Sequence, residues 1–571
     1  MPAQTLSRLL DHLEELKRPA GSPRDRERLS KLLAQLSRRR FTDADPLLRF
    51  HEALLFLRAY PPDAAVLRQT EEILGGFKQR VDTLREAGAD LSALVTPEAA
   101  GVAGTELLAV FSYDVVRWLA RTHTARVAFD WDGYEELPRV VATLPRFLPL
   151  FAEDAYVDAH VPFLEWLRAA RGKGETELAW LLSRFETLPR AGQEQAELFD
   201  ALKLWLRWRL ADSRSTRTHT KRPLGRVFYH DGPLLARRDV RLDQELSAAP
   251  LPVEKLSPAK GTRLLAMGRD AMAVRLRELH GFTYGDEGRV LRAKAGRGVE
   301  FFVWGVVPER RLPTLAYHAA FILKNGVPQG YAETLTLFER TEIGLNLFYT
   351  FREGESAWIY ARLMRLYRQW LGVETFSVEP YQLGGSGNEE GIASGAFWFY
   401  RKLGFRPVRP ELAALCEREE NNLARRPGYR TPAHTLRRLA SGHLLYEAPG
   451  ARPGEWDQFH VRHIGLAVAR RTAARFGGDA ERARRHAAAS VSRSLGVDTA
   501  DWSPAARRCF SDLALVWSLI PDLGRWTADE KRALVRIARA KAGADELSYV
   551  RRLHRHPKLR AALVELGSAA G

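Results

Sequence analysis

Cysteine is almost missing from this chain: 571 residues carry two, Cys416 and Cys509, far apart. Two lone thiols supply neither a disulfide framework nor the paired spacing of a zinc site, and they suit a reducing cytoplasm. Long apolar runs are missing too. The apolar stretch Pro145–Phe151 is interrupted by prolines, so no membrane-spanning segment is expected. The first residues, from Met1, read as an amphipathic helix with Leu6, Leu9, Leu10, Leu13 and Leu16 on one side, not as a signal-peptide core. No phosphate-binding P-loop, catalytic-triad pattern or metal motif occurs. His460 and His463 stand three apart with no third ligand nearby in sequence, so no metal is expected. Acidic residues are outnumbered, 70 Asp and Glu against 87 Lys and Arg, for a net charge of +17. Residues 451–571 hold 22 Lys and Arg against 13 Asp and Glu. That excess is compatible with nucleic acid as a partner. Without aromatic–basic interleaving or a nucleic-acid module, the favoured reading is a solvated helical surface.

What is present is an ordinary globular composition, 45% apolar and 27% charged, which argues against disorder. The length exceeds one hydrophobic core, so two to four domains are expected. Residues 1–210 read as nearly all helix, with patterns over Asp63–Ala87, Thr105–Thr122, Tyr134–Leu148, Val161–Ala170, Thr176–Leu188 and Gln195–Leu210. Polar linkers follow at Ala211–Arg226 and Leu246–Gly261, and Ala448–Gly454 is a Pro/Gly boundary. Residues 455–571 are again helical, with a capping box at Thr527–Glu530. The expected fold class is α+β, multidomain and predominantly helical. It has an all-α N-terminal region (1–215), a central mixed-sheet domain (225–448) with a helical insertion near 411–440, and an all-α C-terminal region (455–571).

The central region is richest in signal. Leu315–Leu323, Gly330–Phe338 and Ile343–Thr350 read as strands, the first two joined by an Asn325-Gly326 hairpin turn. A small-residue loop, Phe351–Ala357, leads into a helix over Ala357–Trp370. Ile359, Leu363, Leu366 and Trp370 lie on one face of it, and Arg362, Arg365 and Arg368 on the other. A strand over Val373–Val378 follows. A Gly-rich stretch, Pro380–Ile392, then precedes a helix that ends at Tyr400-Arg-Lys-Leu-Gly404-Phe405, with Gly404 suited to the left-handed position past a helix end.

This order of elements, with Ala396, Tyr400, Gly404 and Phe405 in the slots of an Ala-x-x-x-Tyr-x-x-x-Gly-Phe ending, resembles the GNAT family of acyl-CoA-dependent N-acyltransferases over roughly residues 315–408. The family's Asn slot falls on Ala393, and Asn388 is a candidate to do its work. The resemblance implies transfer of an acetyl or other acyl group from coenzyme A to an amine acceptor, which the chain's size suggests is macromolecular. Acyl-CoA is then the co-substrate, and no metal is needed. Arg352, Gly354, Ser356 and Ala357 would form the pyrophosphate loop at a helix N-terminus. Phe351 stands where the family has Gln or Arg, and Glu353 and Glu355 place negative charge in that loop. Phe348, Tyr349 and Thr350 would offer main-chain N–H groups to the thioester, and Ala396 and Asn388 would border the donor. Glu333 or Glu342 would take the proton of the amine, and Tyr400 would protonate the departing thiolate. Two other readings stay open: a GNAT-fold binding or regulatory protein without catalysis, and a transferase on the same fold using aminoacyl-tRNA as donor.

Overall fold

The computed structural model describes residues 5–18, 22–153, 161–188 and 193–568; residues 1–4 of the expected first helix lie outside these. The chain forms two compact units. One runs to Pro233 and takes in Arg263–Thr283 and Asn325–Pro328; the other comprises Leu234–Thr262, Tyr284–Lys324 and the chain from Gln329 onward. The expected regions 1–215, 225–448 and 455–571 cut the chain differently. The C-terminal helices share one continuous core with the central sheet, running from Leu242 through Phe376, Trp456 and Trp517 to Leu563.

In the first unit, helices Leu6–Leu16, Pro23–Ser37, Ala44–Ala59, Ala64–Gly75 and Phe77–Glu86 come first. They follow the leucine periodicity, with Leu9, Leu10 and Leu13 buried. Next comes a three-stranded antiparallel sheet of β1 (Glu106–Val110), β2 (Val127–Phe129) and β3 (Trp205–Arg209), with β3 in the middle. This sheet corrects the nearly all-helical expectation. Thr105–Thr122 divides into β1 and a helix over Tyr113–Thr122, and Gln195–Leu210 divides into a helix over Gln193–Ala201 and β3. In β3 Leu206 and Trp208 are fully buried while Trp205 and Arg209 are exposed. That period of two suits a half-buried strand.

The second unit is built on a nine-stranded mixed sheet. Its strands are β4 (Val253–Lys255), β5 (Leu291–Gly296), β6 (Val299–Gly305), β7 (Ala316–Lys324), β8 (Val327–Leu337), β9 (Arg340–Leu347), β10 (Thr375–Val378), β11 (Arg406–Pro407) and β12 (Leu444–Glu447). The spatial order is β11-β12-β10-β9-β8-β7-β6-β5-β4. Together with the many helices, this makes the fold α+β. The hairpin between β7 and β8 turns on Asn325 and Gly326, at φ 48° and 77°, the pair of left-handed residues that such a turn requires. β9 pairs antiparallel with β8 but parallel with β10. The crossover between those parallel strands is the helix Ser356–Leu371, closed by Gly372 at φ 72°.

That central helix is covered on both sides. Ile359, Leu363 and Tyr367 are fully buried in the core. The arginine face meets the helix Leu242–Ser247. Arg365 and Arg362 reach Glu245 at 2.7 and 3.2 Å, and Arg368 donates to the Leu246 carbonyl at 3.1 Å. These acceptors offset part of the cost of burying Arg365.

Candidate functional site

The site is built where β9 and β10 part. Their parallel pairing covers only three steps, Arg340–Thr375, Thr341–Phe376 and Glu342–Ser377. Beyond Glu342, β9 continues to Leu347 against β8 alone, so Ile343–Leu347 presents a strand edge toward the gap. A cavity of about 200 Å³ opens beside it, lined by Tyr317, Tyr331, Glu333, Leu335, residues 342–346 and Gln382. The β8–β9 register sets Glu333 opposite Gly344, Leu335 opposite Glu342 and Tyr331 opposite Asn346. Paired residues share a face, so Glu333, Glu342 and Asn346 all stand on the cavity side of the sheet. Gly344 leaves room there for Gln382, whose Nε2 lies 3.1 Å from where a Cβ would sit.

The two carboxylates differ in surroundings. Glu333 accepts a hydrogen bond from the Tyr317 hydroxyl. Glu342 is pushed up to about 7, first by burial and second by the negative charge of Glu379. Arg340 opposes that shift only weakly, because its guanidinium is held by Ser377 Oγ at 2.9 Å and Glu379 at 3.4 Å. A carboxyl group titrating near neutrality can take a proton from an ammonium group and give it up to water.

Tyr400 lies elsewhere. It is 4% exposed, its ring packs against Tyr360 at 5.5 Å and Phe405 at 5.7 Å, and burial pushes its hydroxyl well above the ordinary tyrosine range. It therefore keeps its proton, in the aromatic layer next to the central helix. Gly404 ends this segment at φ 106°. Ala396 is the first residue of the short helix Ala396–Arg401. Asn388 caps the helix Glu389–Ser394, accepting from the Gly391 amide at 3.1 Å and donating to the Tyr381 carbonyl at 2.7 Å. The Gly-rich stretch around it is tightly packed. A Cβ on Gly384 would come within 2.5 Å of Ile392, one on Gly385 within 2.4 Å of the Ala440 carbonyl, and one on Gly391 within 2.7 Å of the Gly384 amide. These glycines permit close approach of backbone to backbone.

The loop before the central helix has its own electrostatics. Glu355, the N-cap residue, is fully buried. Its carboxylate accepts from Arg297 Nε at 2.7 Å, Lys324 Nζ at 3.1 Å and the Leu235 amide at 3.2 Å. It makes no cap bond to the helix, so the first-turn amides of Ser356–Leu371 have no side-chain cap from it. Arg352 lies over the Tyr349 ring at 3.9 Å, donates to the Leu347 carbonyl at 3.1 Å and pairs with Glu390. Ser356 Oγ donates to the Arg352 carbonyl, and the Gly354 amide to that of Phe351. Ala357 lies in the first turn of the helix and is buried. Tyr349 and Thr350 sit in a 3-10 turn, and the Phe348 amide donates to the Gln329 carbonyl at 2.9 Å. The Phe348 amide is thus committed to β8, and the strand edge facing the gap lies just upstream, because the β10 partner ends at Ser377.

Tyr317, Tyr331, Asn346 and Gln382 were not legible as site residues. Only the β8–β9 register and the fold of the Pro380–Leu383 turn bring them together. His443 packs against His460, ring centroids 4.8 Å apart, and the His463 ring lies 5.1 Å from that of His460. Among the described residues no group of three or more His, Cys, Asp or Glu has the geometry to hold a metal ion, and no helix is long and apolar enough to cross a membrane. Comparison with family models, with curated proteins and with solved structures finds no match for this chain.

Proposed function

We propose that the second unit is an N-acyltransferase of the GNAT kind, moving an acyl group from coenzyme A to an amine. The observation that carries this reading is the parting of β9 from β10 at Glu342, with that carboxyl group titrating near 7 at the mouth of the gap. A thioester laid along the Ile343–Leu347 edge can hydrogen-bond to strand amides there. The loop Phe351–Ala357 supports the same reading. Arg297 and Lys324 neutralise Glu355, so the buried negative charge does not oppose a phosphate at the helix N-terminus.

The chemistry balances without a cofactor beyond the donor. The acceptor arrives as an ammonium ion and gives one proton to the Glu342 carboxylate. The freed nitrogen lone pair attacks the thioester carbonyl, the C–N bond forms, and the C–S bond breaks. The second nitrogen proton leaves with the coenzyme A thiolate as a thiol, and Glu342 returns its proton to water. Tyr400 is too enclosed to meet solvent directly, so its part is to pack the helix that borders the donor.

An acetyl-transfer assay with acetyl-CoA and simple amines tests this. The wild-type kcat should rise with pH through about 7. Glu342→Gln should lower kcat by about 10²-fold or more and abolish that rise. An unchanged kcat in the variant would remove Glu342 from the reaction.

A further inference from the structure

The cavity beside β9 carries negative charge and no cationic side chain. Its polar groups are two carboxylates, the hydroxyls of Tyr317 and Tyr331, and the amides of Asn346 and Gln382. No Lys, Arg or His is among its lining residues. The Asn346 Oδ1 atom is buried and has no hydrogen-bond partner. It stands opposite Tyr331 in register, on the same face as Glu333. A buried acceptor without a donor destabilises the fold unless something else satisfies it. A ligand rich in donors and without acceptors does that, and an ammonium group has three donors and no acceptor.

Leu335, opposite Glu342 in register, supplies apolar wall beside these acceptors. A volume of about 200 Å³ accommodates an ammonium group with several methylenes.

We propose that this cavity seats the acceptor as a primary alkylammonium group on a slender aliphatic chain, held by Glu333 and Asn346 Oδ1 with its methylenes against Leu335. This rests on the acyltransfer reading for what happens next, but the seat itself needs no donor. Glu333 and Glu342 then divide the work. Glu333, with Tyr317 hydrogen-bonded to it, binds and positions the cation, while Glu342 takes the proton. The same chemistry is offered by a free diamine and by a lysine side chain.

Calorimetry without any acyl donor tests the seat. The probes are 1,5-diaminopentane, Nα-acetyl-lysine methylamide and, as the neutral comparison, 1-pentanol. At least one ammonium probe should bind, the alcohol should not, and the stronger of the two identifies the source. Glu333→Gln should weaken binding by about tenfold or more, the scale of one charge-assisted hydrogen bond. Asn346→Leu, a separate variant that keeps both carboxylates, should weaken it as well. In turnover Glu333→Gln should raise KM far more than it lowers kcat, the reverse of Glu342→Gln. Equal binding of 1-pentanol, or unchanged affinity in both variants with melting profiles like the wild type, would overturn the proposal. Ammonium binding without acetyl transfer on adding acetyl-CoA would retain the seat and remove the acyltransferase. Acetylation of aniline with no binding of either ammonium probe would do the opposite.

Discussion

At the residue scale Glu342 decides most, because its burial has a thermodynamic consequence apart from catalysis. Its folded-state value of about 7 lies above the 4.5 of an unperturbed glutamate, so the folded chain binds the proton more tightly than the unfolded one. Its contribution to stability is therefore fully present below about pH 4.5 and is lost as the pH rises through 7. The difference corresponds to about 3 kcal/mol between the two ends of that window. Glu342→Gln should flatten this dependence and raise the melting temperature at pH 8 relative to wild type, more than at pH 5. Equal shifts at the two pH values would mean that the carboxyl group is not held protonated by its surroundings. The sequence made Glu342 and Glu333 visible as strand carboxylates, but it could not rank them. The ranking comes from Glu379 and from burial at the end of β10. Tyr400 was legible as a motif residue; its enclosure by Tyr360 was not, because that contact joins residues 40 apart in sequence.

At the element scale, the strands, the central helix and the Asn325-Gly326 turn could all be read from local pattern, since each rests on a period or a turn residue. The partners of each element could not. Arg362, Arg365 and Arg368 read as one face of the central helix, but their partners, Glu245 and the Leu246 carbonyl, lie more than 110 residues upstream. Glu355 is the sharpest instance. In sequence it is a negative charge in a loop meant for phosphate; in the fold it is the shared partner of Arg297 and Lys324. Burial already lowers Lys324 to about 8 despite that carboxylate. Removing the partner leaves an uncompensated buried charge. Glu355→Ala should therefore destabilise the second unit by about 3 kcal/mol or more in chemical unfolding. A loss under about 1 kcal/mol would show that the cluster does not depend on the pair.

At the scale of the whole molecule, the two units carry separate cores, among them one around Trp208 and Phe185 in the first and one around Trp517 and Phe376 in the second. The small sheet of the first unit was hidden by residues that suit a helix as well as a strand, such as Glu106-Leu-Leu-Ala109. The joining of the C-terminal helices to the central core was hidden because nothing local marks it: Ala448–Gly454 looks like a domain boundary, yet Trp456 just beyond it is 1% exposed. The proposed chemistry belongs to the second unit alone and begins with its capacity to hold coenzyme A. The most direct measurement is isothermal calorimetry of the full chain with acetyl-CoA and with free coenzyme A, on wild type and Gly354→Trp. An acyl-CoA site at the loop Phe351–Ala357 predicts saturable binding of both ligands by wild type and its loss in the variant. Absence of binding by the wild type, or equal affinity in Gly354→Trp, would contradict it.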